Sequence, residues 1–506
     1  VIRNVPQPLI ALALLTVLAL YAYGPVSNRV FAADQIGYFV ELNGSQSLGD
    51  GLALYDYPLS RRYEKGDETL FRPLLFAWLA VANTLFSYHH AWWNFANLAV
   101  HVLVAFFLYR LLRELHDSLL ALAAAALFLV MKPLLELPAW NHLGGYMLGW
   151  MFLLIAVRAF ARMTNAGGGS GGDLIVYGAA FAAAVFFHES MVAACLIAGL
   201  ILVWRDWRNR RLKLIRLALC AAPLAAYGAL YWTHALRVGR LGYIGRQTQA
   251  SLDFGSLGKV AFSIPDILWR WSQELAVPAA LHYQAAPFSR LGKTFFFSPR
   301  SSEQMASLVV SLAILGVILS AMSRRRLAVS GPVITLFAGV LITYVGIFLV
   351  GRSQAEIMGV AYYLYFFCLA AVVILYALMD FERLRGARLP ALWLAMLAAA
   401  VIHLAGTREA NEMIGRANDA PSRYFSQLEQ FVDARKTEPG FSFALSSENA
   451  ANDPPFPMRE GYPDHPISVQ VFRITEVVFK AYYNKERPRY IVRWNGTSLE
   501  WTRGTG

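Results

Sequence analysis

Ionisable and amide side chains recur at the ends of apolar runs in this chain. Asp34 and Glu41 follow the first run, in "FAADQIGYFVELNG" (31–44), and Arg72 immediately precedes the apolar stretch 73–87. Asn94, Asn97 and His101 enter the next run at i, i+3 and i+7, which is one helical face. Lys132, Glu136, Asn141 and His142 surround the end of another run, His188 and Glu189 separate two more, and Arg352 closes a later one with Glu356, Tyr362 and Tyr363 just beyond. Ionisable groups beside hydrocarbon are costly, so such a collection is a functional hypothesis by default. The residue types can bind anions and move protons: a guanidinium holds an oxyanion bidentately, and a carboxylate can act as a base. Singly, each has an ordinary reading. A Lys or Arg at a helix end snorkels to headgroups, a loop carboxylate is solvated, and His101 is a hydrogen-bonded core residue. Their shared position at one end of at least five helices points to a site.

The elements that must hold them are membrane helices. Of 506 residues, 57% are hydrophobic and 15% charged, and many runs approach the roughly 20 residues that cross a bilayer. The net charge of +12 does not indicate nucleic acid, because the arginines cluster in short loops between apolar runs, where topology and anionic lipid account for them. Cys195, Cys220 and Cys368 lie inside apolar runs without metal spacing and read as small buried hydrophobes. Eleven spans are expected, near 9–26, 92–112, 118–135, 143–161, 174–187, 190–204, 216–235, 304–322, 331–350, 358–379 and 390–406. The first lacks a small-residue cleavage site and is expected to be a retained helix.

Charge orients them. With the N-terminus inside, the loops 110–117, 158–173, 205–216, 323–326 and 380–388 are cytoplasmic and hold sixteen Lys and Arg, six of them in 205–216. The segment 73–87 is too short to span comfortably, and spanning would invert every later loop. It is therefore expected to lie along the outer face as an interfacial helix. The first outer loop is then 27–91 and a second long outer loop is 236–303. "GGGSGG" (167–172) reads as a flexible cytoplasmic linker with no phosphate-cradle context. Residues 407–506 are polar and end in alternating runs such as "ISVQVF" and "RYIVRW", which predicts a small mixed α/β unit outside the membrane.

On these residues the chain resembles a family. "FRPLLFAWLAVANTLFSYHHAWWNFANLAVHVLVAFFLYRLL" (71–112) is similar to the RPL…N…H segment of GT-C fold glycosyltransferases, most of all the TMTC-like and dolichyl- or polyprenyl-phosphate-mannose types. "LFLVMKPLLELPAWNHLGGYMLGW" (127–150) resembles their loop with an acid and a tryptophan, here Glu136 and Trp140, with Lys132 at the usual His. "FFHES" (186–190) resembles their SKE, with His188 at the Lys and Glu189 retained, and "AEIMGVAYYLYFF" (355–367) is similar to a later Tyr-rich motif. The likeness covers roughly the first 200 residues.

The resemblance implies a polytopic α-helical GT-C membrane protein with a catalytic transmembrane domain over 1–406 and a periplasmic C-terminal domain over 407–506. It implies a sugar donor on a polyprenyl phosphate, a glycan, lipid or protein acceptor, and reaction at the outer face of a bacterial inner membrane. The family's first outer loop carries a catalytic acid, often an acid pair. Here the pair is Asp34-Gln35, which favours a single general base over a carboxylate pair on a divalent metal. No other cofactor is implied. Direct attack inverts the anomeric configuration without a carboxylate nucleophile. Arg72 and Arg352 are then expected at the lipid phosphate, with Lys132 and His188 beside them; Glu136 and Glu189 are expected to bind sugar hydroxyls or support the site, and Asn97, His101 and Tyr362 to bind substrate. Two rival classes stand beside it. A transporter or flippase for a lipid-linked sugar would place charges near mid-helix and show internal repeats, and the sequence shows neither; a non-enzymatic scaffold with the C-terminal domain as a binding module leaves the polar cluster unexplained.

Overall fold

A computed structural model describes residues 7–27, 29–31, 48–49, 71–116, 119–131, 134, 143–164, 170–209, 214–238, 324–351, 361–379, 388–417, 419–447, 449, 455–456 and 469–504. The chain is a helical membrane protein. Its helices are α1 (Gln7–Tyr23), α2 (Pro73–Phe86), α3 (His90–Leu115), α4 (Leu119–Val130), α5 (Gly144–Thr164), α6 (Gly171–Phe187), α7 (Met191–Arg208), α8 (Leu214–Val238), α9 (Arg324–Gly351), α10 (Ala361–Leu378) and α11 (Arg388–Ala417). Every expected run is helical except 304–322, which lies outside the described residues. Four stretches among the described residues are long and apolar enough to cross a membrane: His90–Leu115, Gly144–Thr164, Leu214–His234 and Leu392–Glu412.

Small residues let these helices approach. Ala121, Ala124 and Ala125 of α4 are buried against their neighbours. A side chain on Gly144 would strike Asn97 of α3 and would sit 2.8 Å from the Trp78 indole nitrogen of α2; one on Gly145 would strike Leu75. The "GG" before Tyr146 thus seats the start of α5 in the corner of α2 and α3.

The two ends of the bundle differ. At one end Tyr23 donates to the Leu129 carbonyl (3.0 Å), Thr407 to that of Val130 (2.9 Å) and Asn411 to that of Ala22 (2.8 Å), which ties together the ends of α1, α4 and α11. The opposite end carries the basic loops. There Arg158 and Arg162 share Glu114 (2.8 and 2.5 Å), Arg216 pairs with Asp206 (3.0 Å) and Tyr376 donates to the His116 carbonyl (2.9 Å). α3, α5, α7 and α10 therefore end at the basic loops, where α8 begins, and α1, α4 and α11 end at the opposite face.

Two sequence expectations are corrected. Ser170, Gly171 and Gly172 are not linker. The Ser170 hydroxyl accepts from the Asp173 N–H (3.1 Å) and the Asp173 carboxylate accepts from the Ser170 N–H (2.8 Å), a reciprocal cap that starts α6 three residues early. The boundary at 406/407 falls inside α11, whose last turns run on to Ala417. An Arg408–Glu412 pair at i, i+4 (2.6 Å) supports the extension, and Gly415 fits against the Pro25 carbonyl.

Beyond α11 lie α12 (Asp419–Asp433), β1 (Phe443–Leu445), β2 (Pro455–Phe456), β3 (Val469–Gln470), α13 (Val471–Val478), β4 (Tyr490–Trp494) and β5 (Leu499–Arg503). The order β1-β4-β5 pairs β1 with β4 in parallel and β4 with β5 antiparallel; β2 and β3 pair separately. Tyr490 and Val492 point inward while Ile491 and Arg493 are exposed, the period of two that the sequence shows. Tyr424, Phe425, Leu428, Phe431 and Val432 form the buried stripe of α12. This core continues into Leu75, Phe76 and Leu79 of α2 and Trp93 of α3. α2 is thus roofed by the C-terminal unit, at the end of the bundle away from the basic loops.

Candidate active site

Arg72 owes its position to the proline after it. Pro73 begins α2, and the residue before a proline is pushed out of helical geometry; Arg72 adopts φ −136° and ψ 65°. Its side chain leaves the helix axis and meets the turn between α6 and α7. Nε donates to one Glu189 carboxylate oxygen at 2.6 Å and Nη2 to the other, a bidentate pair, while Nη1 donates to the Tyr146 hydroxyl. The guanidinium carbon lies 5.1 Å from the centre of the Tyr146 ring. The side chains of Arg72 and Glu189 are 7% and 16% exposed.

His188 completes the cluster. It caps α6 with extended backbone (φ −158°, ψ 129°), and its carbonyl accepts from the Met191 N–H (3.0 Å) to start α7. Its ring lies 4.7 Å from that of Tyr146. The Ser190 N–H donates to His188 Nδ1 at 3.1 Å, so the proton sits on Nε2 and the ring is neutral. Burial pushes its pKa down to about 3, so the Nδ1 to Glu189 approach of 3.9 Å is not an ion pair at neutral pH. Burial alone would raise the Glu189 carboxyl. The Arg72 charge and its hydrogen bonds outweigh that and hold it at about 2.

Beside the pair, Phe71 packs on Tyr227 (5.6 Å between centres), Tyr231 (6.1 Å) and His234 (5.2 Å), one face of the end of α8. The cluster therefore draws on the residues before α2, the start of α5, the α6–α7 turn and α8. Tyr146 and this α8 face were not singled out from the sequence. Their signals are the i, i+4, i+7 aromatic spacing of α8 and the position of Tyr146 directly after two glycines.

The other expected site residues are placed as follows. Asn94 and Asn97 are buried on one face of α3, and Asn94 donates to the Ser27 and Arg29 carbonyls (2.8 and 2.7 Å). His101 shares that face but lies inside the bundle, with Nδ1 3.1 Å from the Tyr365 hydroxyl and Nε2 3.0 Å from the Leu129 carbonyl. It joins α3, α4 and α10 and is not brought to the Arg72 cluster. Tyr362 lies in the first turn of α10. Asp34, Lys132, Glu136 and Arg352, with Glu41, lie outside the described residues. Among the described residues, no three His, Cys, Asp or Glu side chains come together as a metal site.

No protein-family model matches the chain, and no curated protein does. Among solved structures, the chain is similar to ArnT from Cupriavidus metallidurans bound to undecaprenyl phosphate, at 14% identity and a TM-score of 0.34, over 96% of this chain and 93% of that one. At that TM-score no residue role is transferred from it.

Proposed function

We propose that the chain is a GT-C-type glycosyltransferase that moves a sugar from a polyprenyl phosphate to an acceptor hydroxyl at the periplasmic face of a bacterial inner membrane. One observation carries the reading. Arg72 of "FRPLL" and Glu189 of "FFHES", 117 residues apart, form a buried bidentate pair at the end of the bundle away from the basic loops. Both segments carry the family resemblance, and Tyr146, from the third such segment, bonds to the same guanidinium.

In this reading the residues divide the labour. The fork of Arg72 that would grip a phosphate is turned onto Glu189, so in this reading Arg72 and Glu189 position the α6–α7 turn and Tyr146. The leaving phosphate is met by the charges of Lys132 and Arg352. Neutral His188 offers Nε2–H as an uncharged donor. Asp34 takes the proton of the acceptor hydroxyl while its oxygen attacks the anomeric carbon. The bond from that carbon to the phosphate oxygen breaks, the lipid phosphate departs with the electron pair, and the configuration inverts. Glu136 binds sugar hydroxyls.

The test is mass spectrometry of lipid-linked sugars and glycosylated products in cells with and without the gene. Loss of the gene is expected to accumulate one lipid-linked sugar and remove one product. The wild-type gene restores the product and Asp34→Asn does not, since removing a general base costs about 100- to 10,000-fold in rate. Full restoration by Asp34→Asn overturns the role of Asp34, and an unchanged lipid and product profile overturns the transferase.

A further inference from the structure

A second polar feature lies apart from the Arg72 cluster. The 3-10 turn after α1 (Gly24–Val26), the last turns of α11 and the first turns of α12 enclose a cavity of about 580 Å³, and none of Arg72, Tyr146, His188 or Glu189 lines it. Its wall holds four arginines, Arg29, Arg408, Arg416 and Arg423, against two carboxylates, Glu412 and Asp419. Arg408 is committed to Glu412 (2.6 Å) and to the Tyr21 carbonyl (2.5 Å). Arg416 makes no ion pair among the described residues, and the described contact of Arg423 is with the Asp419 carbonyl at 3.4 Å. The cavity thus keeps an excess of positive charge.

Two further observations point to an anion. Ser422 is 8% exposed and lines the cavity, and its hydroxyl makes no hydrogen bond among the described residues. It stands in the first turns of α12, whose N-terminal N–H groups and dipole favour negative charge. A buried hydroxyl, a helix N-terminus and guanidinium groups on one wall match the acceptor-rich surface of a phosphate.

The surroundings indicate where that phosphate comes from. Leu14, Val17 and Tyr21 of α1 are exposed at i, i+3 and i+7, and so are Leu394, Leu397 and Val401 of α11. α1 packs on α11, and the guanidinium of Arg408, which lines the cavity, lies 5.0 Å over the Tyr21 ring. From these features we propose that the cavity binds the phosphate of an anionic lipid headgroup, with the acyl chains on the α1 and α11 strips. This site is distinct from the Arg72 cluster.

The test uses the full chain, purified in neutral detergent and stripped of lipid. Dioleoylphosphatidylglycerol, dioleoylphosphatidylcholine and inorganic phosphate are offered separately, and bound species are counted by native mass spectrometry. Phosphatidylglycerol is expected to bind about tenfold more tightly than phosphatidylcholine. Arg416→Gln with Arg423→Gln removes the preference, and Arg416→Lys with Arg423→Lys keeps most of it. Both residues are exposed, so the thermal midpoint of each variant should match that of the wild type. Binding of inorganic phosphate with the same arginine dependence supports the anion site and assigns it to a soluble phosphate. Equal binding of the two lipids with no phosphate binding overturns the proposal, as does wild-type binding by the glutamine variant. Sugar transfer is not in the readout, so failure of the transferase reading leaves this test standing.

Discussion

Arg72 and Glu189 bind each other through two hydrogen bonds with little access to water. Breaking such a pair strands a buried charge, which costs about 3–5 kcal/mol, whereas replacing both partners by apolar groups of similar size is often neutral. Arg72→Ala and Glu189→Ala are each expected to lower the unfolding free energy by about that amount. Arg72→Met combined with Glu189→Leu should recover most of it in a thermal unfolding series. An additive double variant would show that the pair is not coupled. The neighbouring titration has a defined sign. His188 has an ordinary pKa of 6.5 that burial lowers to about 3, so the unfolded chain binds its proton first. Its contribution is full above pH 6.5 and is lost as pH falls toward 3. Glu189, lowered from 4.5 to about 2, contributes fully above pH 4.5 and loses that contribution toward pH 2. Between pH 6.5 and 4.5 only His188 of the two changes. The unfolding midpoint of His188→Asn should therefore fall less steeply than that of the wild type over that interval, and parallel curves would place the wild-type slope elsewhere.

At the scale of elements, the start of α5 is the sensitive joint, because Tyr146 reaches Arg72 only if the preceding glycines touch α2 and α3. Overpacking a tight contact costs about 1–3 kcal/mol. Gly145→Ala, whose methyl would strike Leu75, is expected to lose that much, and Gly144→Ala a similar amount against Asn97 and Trp78. Gly228→Ala in α8 meets open space and should leave the unfolding midpoint unchanged or slightly raised. Equal effects at all three positions would mean that helix propensity, not packing, decides. The joint between α3 and the C-terminal unit is polar. His90 Nδ1 lies 2.6 Å from Glu429, whose same oxygen accepts the His90 N–H at 3.2 Å, and the Tyr88 hydroxyl donates to Asp433 at 2.6 Å. These contacts fasten α12 to the α2–α3 corner and keep the roof of α2 in register.

For the whole molecule, the helix directions put the loop after α7 and the C-terminal unit at opposite ends. Asn209 and Lys480 are exposed at those ends, and Cys195, Cys220 and Cys368 are buried. Asn209→Cys is expected to react with a membrane-impermeant maleimide only after the cells are opened, and Lys480→Cys in intact cells with a permeable outer membrane. Labelling of Asn209→Cys from outside would invert the orientation and overturn the proposed placement of Asp34 at the periplasmic face. The positive-inside rule predicts the first outcome, since the short loops at the Asn209 end hold most of the loop arginines.

The helices themselves were legible because hydropathy and length act locally: a run of apolar residues with its backbone groups satisfied internally is helical wherever it sits in a membrane. The period of two in 490–494 and the short helix within 73–87 were legible for the same reason. Arg72, His188 and Glu189 stood out because a charged or polar group at the end of an apolar run is costly whatever its partners. What no local pattern specified is which of them meet. The Arg72–Glu189 pair spans 117 residues, and it forms because two glycines, a proline and the α6–α7 turn bring three helix ends to one point. Tyr146 is marked in the sequence only by the two glycines before it, and His101, on the same face of α3 as Asn97, turns out to join helices inside the bundle. The arginine cavity likewise depends on α11 continuing past residue 406 until it meets α12. Periodicity assigns each face of a helix a polarity, but packing decides which faces touch, and the chemistry of both candidate sites arises at those contacts.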